Sequence, residues 1–137
     1  MKIYIASSLS NTVQVQALRD AFIAAGHTIT YDWTSRDESE NRLQKLKELA
    51  LAEIQGVKDA DLVVIISDKK CQHSELGMAV ALNKNVIIFN QEKKDACPAF
   101  YAPNVFIYCS IPPAPPDEHI DFLMEHNYFF RQEKQKL

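Results

Sequence analysis

Short apolar runs alternate along this chain with stretches of helical spacing, and no other feature constrains the fold as strongly. The run at 62–66, Leu-Val-Val-Ile-Ile, contains no polar residue. Further predicted strands lie at 2–6, 28–31, 86–89 and 105–108. Strands that alternate with helices favour a parallel sheet whose right-handed crossovers cover both faces. The sequence therefore predicts an α/β protein with about five parallel strands and helices on both faces.

Helical spacing predicts the connecting elements. The first helix follows Asn11, a candidate N-cap with Gln14 at the capping-box position, and ends at Gly26. A second helix runs to about residue 57, and its apolar stripe consists of Leu43, Leu46, Ala50, Ile54 and Val57. The polar residues 35–41 before it are either a mobile loop or the frayed start of that helix. A third helix is predicted over 74–82.

The remaining third of the chain carries weaker signals. It predicts a loop over 90–98, an extended proline segment over 111–116, a last helix that Asp117 caps, and a polar tail over 131–137. A length of 137 residues suits one domain with one core, so we expect a single domain over 1–137.

Composition excludes several classes of protein. A net charge of -3 argues against a nucleic-acid surface, which is usually basic. No apolar run approaches membrane-spanning length, and the first is too short for a secretion signal. The three cysteines include no C-x-x-C pair, so neither a disulfide framework nor a zinc site is expected. Three glycines exclude a Rossmann fingerprint and a P-loop. We expect a cytoplasmic protein without a membrane or nucleic-acid partner.

Glu75 is the strongest candidate for chemistry. It lies in the segment 73–79, His-Ser-Glu-Leu-Gly-Met-Ala, which follows the strand at 62–66 and opens a helix. The helix dipole favours an ionised carboxylate there, and open α/β sheets bind ligands at the carboxyl edge. Such a carboxylate is what attack on a sugar C1 requires. The structural alternative is a glutamate that only complements the dipole.

Other polar residues are predicted at the same edge. Ser7 and Ser8 follow the first strand and are either ligand contacts or turn formers. Asp32 follows the second strand and either accepts hydrogen bonds from a base or caps the turn. Trp33 is either a stacking surface for a nucleobase or a packing residue. His73 either holds a phosphate or tunes Glu75, or it caps the helix.

Three segments together resemble one known family. They are 2–8 (KIYIASS), 58–64 (KDADLVV) and 73–79 (HSELGMA). Their order and spacing over the first two thirds of the chain resemble the nucleoside 2-deoxyribosyltransferase-like family, including its 2'-deoxynucleoside 5'-phosphate N-hydrolases. The resemblance implies a flavodoxin-like three-layer sandwich that assembles as a homodimer or higher homo-oligomer, with a neighbouring subunit completing the site. It also implies that no metal or organic cofactor is needed.

The resemblance also implies catalytic roles. Glu75 would attack C1' and form a glycosyl-enzyme, and Tyr4 would orient it. Asp61 or a nearby carboxyl would protonate the leaving base, and Asp68 is a rival because it lies at the carboxyl edge. Ser7 and Ser8 would meet the sugar or its 5'-phosphate.

Three functions follow from this sequence. The first is cleavage or exchange of the N-glycosidic bond of a nucleoside or its 5'-monophosphate. Relatives often carry a glycine and a small hydroxyl before the histidine, where this chain has Cys71-Gln72. That departure favours the second function, a nucleotide sensor that binds without turnover. The third is cleavage of NAD, because the same C1' chemistry serves ribosides.

Overall fold

The computed structural model describes residues 1–35, 42–67, 73–89 and 102–107, without the side chains of Arg42 and His73. The loop predicted over 90–98, the proline segment, the helix from Asp117 and the polar tail lie outside these ranges. In the described ranges, no helix combines the length and the apolar character needed to cross a bilayer.

Five strands form one sheet, and every neighbouring pair is parallel. The strands are β1 (Lys2–Ala6), β2 (Thr28–Ile29), β3 (Leu62–Ile66), β4 (Asn85–Phe89) and β5 (Val105–Ile107). Their order is β2-β1-β3-β4-β5, which is the doubly wound order of flavodoxin-like folds. The predicted α/β architecture with a five-stranded parallel sheet is confirmed.

Three helices connect the strands. They are α1 (Thr12–Ala24), α2 (Arg42–Asp59) and α3 (His73–Ala81), with single 3₁₀ turns at Leu9–Asn11 and Trp33–Ser35. The chain steps one way from β1 to β2 and the other way from β2 to β3, so right-handed crossovers place α1 on one face and α2 on the other. α3 lies beside α2 and contacts it.

The core lies on both sides of β3, whose five residues are all buried. β1 and β4 flank it and are buried over four residues each. Strands covered on both faces need no polar side, which is why their sequences are continuous apolar runs.

β2 is shorter than the sequence predicts, because it ends at Ile29 rather than at residue 31. Thr28 and Thr30 donate their backbone N–H groups to the carbonyls of Met1 and Ile3. The next carbonyl on this side of β1, that of Ile5, accepts instead from the indole Nε1–H of Trp33 at 2.7 Å. The hydrogen bond from the Trp33 side chain thus replaces the next backbone hydrogen bond that β2 would make with β1.

Candidate functional site

The carboxyl ends of β1 and β3 lie side by side, and the segments that follow them leave toward opposite faces of the sheet. Such a switch point opens a crevice at the sheet edge. Ser7 follows β1 directly, and its Oγ donates to the carbonyl of Ile66, the last residue of β3, at 2.8 Å. Ser67 extends the same edge, since its N–H donates to Phe89 O at 2.9 Å. These hydrogen bonds therefore join the carboxyl ends of β1, β3 and β4 at the base of the crevice.

Asn11 belongs to this edge, which the sequence did not predict. No side-chain cap bond forms at this position, so the expected capping box is absent. Its Nδ2 instead donates to Ser7 Oγ at 3.0 Å. Ser8, the other predicted serine, shares a hydrogen bond of 2.7 Å with Ser10 between their Oγ atoms. Ser7, Ser8 and Asn11 thus lie together in the turn that leaves β1.

Glu75 lies in the first turn of α3, as predicted, and is half-buried. Ser74 Oγ donates to Glu75 Oε2 at 2.8 Å. Leu76 and Ala79 are buried and fix the helix to the body of the protein. The carboxylate therefore stands at the start of a helix that follows β3, where the helix dipole favours negative charge.

Asp61 lies at the opposite edge of the sheet. Its Oδ2 accepts the N–H of Lys2 at 2.9 Å, and its own N–H donates to Lys2 O at 2.8 Å. These bonds join the amino ends of β1 and β3. The five residues of β3 separate Asp61 from the carboxyl edge, a distance of roughly 16 Å at about 3.3 Å per residue. The structure does not bring Asp61 and Glu75 together.

Tyr4 lies in the middle of β1 with its side chain buried on the face that α2 covers. A Cβ built on Gly56 of α2 would lie 2.8 Å from Tyr4 Cδ2, so the helix backbone rests on the ring. The predicted orienting residue thus occupies the face on which α2 and α3 pack.

Glu53 is a carboxylate that the sequence reasoning missed. α2 begins at the carboxyl edge and ends before β3, so one turn back from Gly56 leads toward that edge. Glu53 lies there, three residues before Gly56 and half-buried. Residues three apart share a helix face, so Glu53 projects from the side of α2 that faces Tyr4. No local sequence signal marks this position, because the burial of Gly56 is known only from the structure.

Asp32 is held by an ion pair that the sequence did not indicate. Arg19 of α1 donates from Nη1 to Asp32 Oδ2 at 2.7 Å, while the backbone N–H of Thr34 donates to Oδ1 at 3.0 Å. Burial raises the pKa of Asp32, but the hydrogen bonds from Thr34 and Arg19 outweigh it and leave the pKa below its ordinary value. Asp20 and Asp32 in turn raise the pKa of Arg19. These contacts support the turn-capping alternative for Asp32.

We expect the Asp32→Asn variant to unfold at a lower urea concentration than the wild type at pH 7. A carboxyl whose folded pKa is depressed stabilises the protein above its unfolded pKa and ceases to do so as the pH falls through the folded value. The difference between the two proteins should therefore shrink below about pH 4. Urea unfolding at several pH values measures it. A difference that stays constant down to pH 3 contradicts the ion-pair account.

Trp33 is buried within the core. Its Nε1–H donates to Ile5 O, and this hydrogen bond is buried. A side chain so enclosed does not present its ring as an open stacking surface. The structure therefore supports the packing alternative for Trp33.

The Trp33→Phe variant should keep most of the packing but leave the Ile5 carbonyl without its donor. A buried carbonyl that loses its partner costs about 1–3 kcal/mol. We expect the free energy of unfolding to fall by that amount, while KM for any substrate that the protein cleaves stays unchanged. Chemical denaturation and steady-state kinetics give the two numbers. A large rise in KM at unchanged stability would restore the stacking role.

Two predicted site residues cannot be placed. Asp68, together with the Cys71-Gln72 segment, lies outside the described residues, and so does the side chain of His73. His73 is nevertheless the first residue of α3, two residues before Glu75. Across the described ranges, no three His, Cys, Asp or Glu side chains are grouped to hold a metal ion.

Comparison with known proteins adds independent findings. The family described as nucleoside 2-deoxyribosyltransferase matches residues 3–129 of the sequence. Among solved structures, the CMP N-glycosidase BcmB of Clostridium botulinum is similar, with 16% identity, a TM-score of 0.55 and coverage of 80% of this chain and 91% of that chain. The 2-deoxyribosyltransferase of Bacillus psychrosaccharolyticus has 19% identity, the same TM-score of 0.55, and coverage of 79% and 85%. No curated protein sequence matches.

Proposed function

Since the chain belongs to the nucleoside 2-deoxyribosyltransferase family, we propose that it breaks or exchanges the N-glycosidic bond of a nucleoside or its 5'-monophosphate. The observation that carries the proposal is the position of Glu75, half-buried in the first turn of α3 and next to the switch point of the sheet. The two similar structures are named as an N-glycosidase and a 2-deoxyribosyltransferase, which both act on N-glycosidic bonds. At sequence identities of 16% and 19%, their similarity supports the fold.

Glu75 is the nucleophile of the proposed mechanism. One carboxylate oxygen attacks C1' as the bond from C1' to the base nitrogen breaks, and the electron pair of that bond leaves with the base. Positive charge develops on the sugar in the transition state, and a fixed carboxylate stabilises it. Water or a second base then attacks C1' and releases Glu75. Ser74, which donates to Oε2, holds one oxygen and leaves the other for attack.

The base leaves more easily when an acid protonates it. Asp61 is too distant for this step, since its carboxylate is bound at the amino edge. Glu53 faces the sheet near the carboxyl edge, and Asp68 follows β3 in the sequence, so we propose that one of these two donates the proton. Tyr4, on the face that α2 covers, is the proposed positioning residue for Glu75.

The turn after β1 is the proposed sugar site. Ser7 Oγ donates to Ile66 O and accepts from Asn11 Nδ2, so its remaining lone pair is an acceptor for a sugar hydroxyl. Ser8 and Ser10 share a bond in which one hydroxyl hydrogen stays available, for a hydroxyl or a 5'-phosphate oxygen. His73, two residues before Glu75, is a further proposed contact. We also propose a homodimer or higher homo-oligomer in the cytoplasm.

The test is release of free base from a panel of deoxynucleosides, ribonucleosides, their 5'-monophosphates and NAD, followed by chromatography with and without a second base. Release from one class supports the proposal, and a new nucleoside formed with the second base identifies a transferase. Release from NAD alone identifies the riboside alternative. Thermal stabilisation by a nucleotide without any release contradicts the enzyme proposal and supports the sensor.

A further inference from the structure

The fold determines in which direction the hydroxyl group of Ser7 forms hydrogen bonds. A serine hydroxyl has one hydrogen to donate and two lone pairs that accept. Ser7 Oγ lies 2.8 Å from the carbonyl oxygen of Ile66, and a carbonyl oxygen only accepts, so the single hydrogen of Ser7 points to Ile66. The side-chain amide of Asn11 contacts the same Oγ at 3.0 Å. Because the hydrogen of Ser7 is already used, Asn11 must present its Nδ2 donor there and not its oxygen.

These two contacts leave Ser7 with one lone pair and no hydrogen. Ser7 is half-buried, and among the described residues its Oγ has no third hydrogen-bond partner. A ligand atom that reaches Ser7 Oγ must therefore donate a hydrogen. A sugar hydroxyl donates, whereas the oxygens of a phosphate dianion only accept and would face the lone pair of Ser7 with no hydrogen between them. Partial burial makes such an unpaired polar contact costly.

Asn11 lacks the local contact that its position in the chain favours. It is the N-cap residue of α1, where an asparagine side chain ordinarily accepts a backbone N–H of the first turn and stabilises the helix. No such bond forms. The side chain donates instead to Ser7, at the edge where β1 and β3 end. Local preferences of this kind are set aside mainly at functional sites, so Asn11 acts on the ligand edge and not on the helix.

The neighbouring pair of hydroxyls has the opposite character. Ser8 and Ser10 share one exposed hydrogen bond of 2.7 Å between their Oγ atoms. That bond uses one of their two hydrogens and leaves the other to donate. A phosphate oxygen suits this pair, and a sugar hydroxyl suits Ser7. The turn after β1 therefore separates an acceptor from a donor.

From these observations we propose that Asn11 is a positioning residue that fixes Ser7 as an obligate hydrogen-bond acceptor, so that Ser7 selects a hydroxyl of the ligand's sugar and rejects a phosphate oxygen. The ligand is thus a nucleoside or nucleotide whose sugar carries a free hydroxyl at Ser7. The inference rests on the proposed function because it takes a ligand of that class at this edge. It concerns binding, so it does not require that the base is released.

Binding of matched analogues tests the role of Ser7. The probes are ribonucleosides and deoxynucleosides of the common bases, analogues that lack the 3' or the 5' hydroxyl, and the 3'- and 5'-monophosphates. Calorimetric titration into the Glu75→Gln variant avoids cleavage. Removing one particular hydroxyl should weaken binding by about tenfold or more, and replacing it by phosphate should weaken binding at least as much. Adding Ser7→Ala in this background should reduce the effect of removing that hydroxyl to about twofold or less.

The Asn11→Asp variant tests the positioning role. It keeps the shape of the side chain but replaces the amide donor by an acceptor that competes with Ile66 O for the hydrogen of Ser7. The preference for the hydroxyl-bearing ligand over its deoxy analogue should therefore fall to about twofold or less. Aspartate caps a helix as well as asparagine does, so a merely structural role predicts no change. The matched control is Thr12→Ala, which removes a bond of 2.7 Å to Leu9 O in the same turn and should keep the preference.

The possible outcomes separate this inference from the proposed chemistry. Hydroxyl-dependent binding through Ser7 without release of base by the wild type contradicts the chemistry and supports the inference. Equal affinity for every analogue, a preference that persists in Ser7→Ala or in Asn11→Asp, or its loss in Thr12→Ala overturns the inference. Failure to bind any of the probes overturns it as well. Circular dichroism confirms that each variant is folded.

Discussion

Replacing Glu75 by glutamine is expected to lower the rate of base release by about a thousandfold or more, because a neutral amide neither attacks C1' nor stabilises the cationic sugar. The substitution keeps the size of the side chain. Its effect on folding should be limited to the loss of a charge near the helix dipole, about 0.3–1 kcal/mol. Base release under single-turnover conditions measures the chemical step, and urea unfolding measures the stability.

The matched control for this prediction is Asp61→Asn. It also turns a carboxylate into an amide, and the amide oxygen still accepts the N–H of Lys2 that Asp61 binds. Because Asp61 lies at the amino edge, release should stay close to the wild-type rate. Equal losses in both variants, or a Glu75→Gln variant that retains a tenth of the activity, contradict Glu75 as the nucleophile.

Burial on both faces makes a strand easy to predict, whereas contacts between distant residues do not leave a local signal. The sequence predicts β3 with its observed bounds because all five of its residues are apolar. The sequence predicts a β2 that is two residues too long, since Thr30 and Tyr31 are residue types that favour strands. The indole of Trp33 takes the next ladder bond, and no pattern in the sequence shows that a side chain will do so.

The candidate site likewise contains positions that the local sequence predicts and contacts that only the folded chain creates. The place of Glu75 followed from the order of strand, turn and helix, which is local information. The pairing of Arg19 with Asp32 spans thirteen residues and two elements, so only the folded chain reveals it. Asn11 has the residue type of a helix cap, yet the proximity of Ser7 provides it with a different partner. Glu53 becomes a candidate only once the buried side of α2 is known.

The glycines of α2 and α3 give the largest expected contrast in stability. A Cβ at Gly56 would lie 2.8 Å from Tyr4 Cδ2 and 2.9 Å from Tyr31 Cβ. Tyr4 is buried in a central strand, so its ring has little room to move, and overpacking of this kind costs about 1–3 kcal/mol. A Cβ at Gly77, in contrast, meets nothing within 4 Å, and the position is exposed.

We therefore expect Gly77→Ala to stabilise the protein by about 0.8–1 kcal/mol, the helix propensity of alanine over glycine. The same gain in helix propensity applies to Gly56→Ala. The difference in the free energy of unfolding between Gly56→Ala and Gly77→Ala therefore isolates the cost of overpacking between α2 and β1. That difference should be about 1–3 kcal/mol in the free energy of unfolding, measured by urea at one protein concentration. Variants that differ by less than about 0.5 kcal/mol would mean that α2 shifts freely over Tyr4. In that case the face that carries Tyr4 and Glu53 is not held rigidly enough to position Glu75.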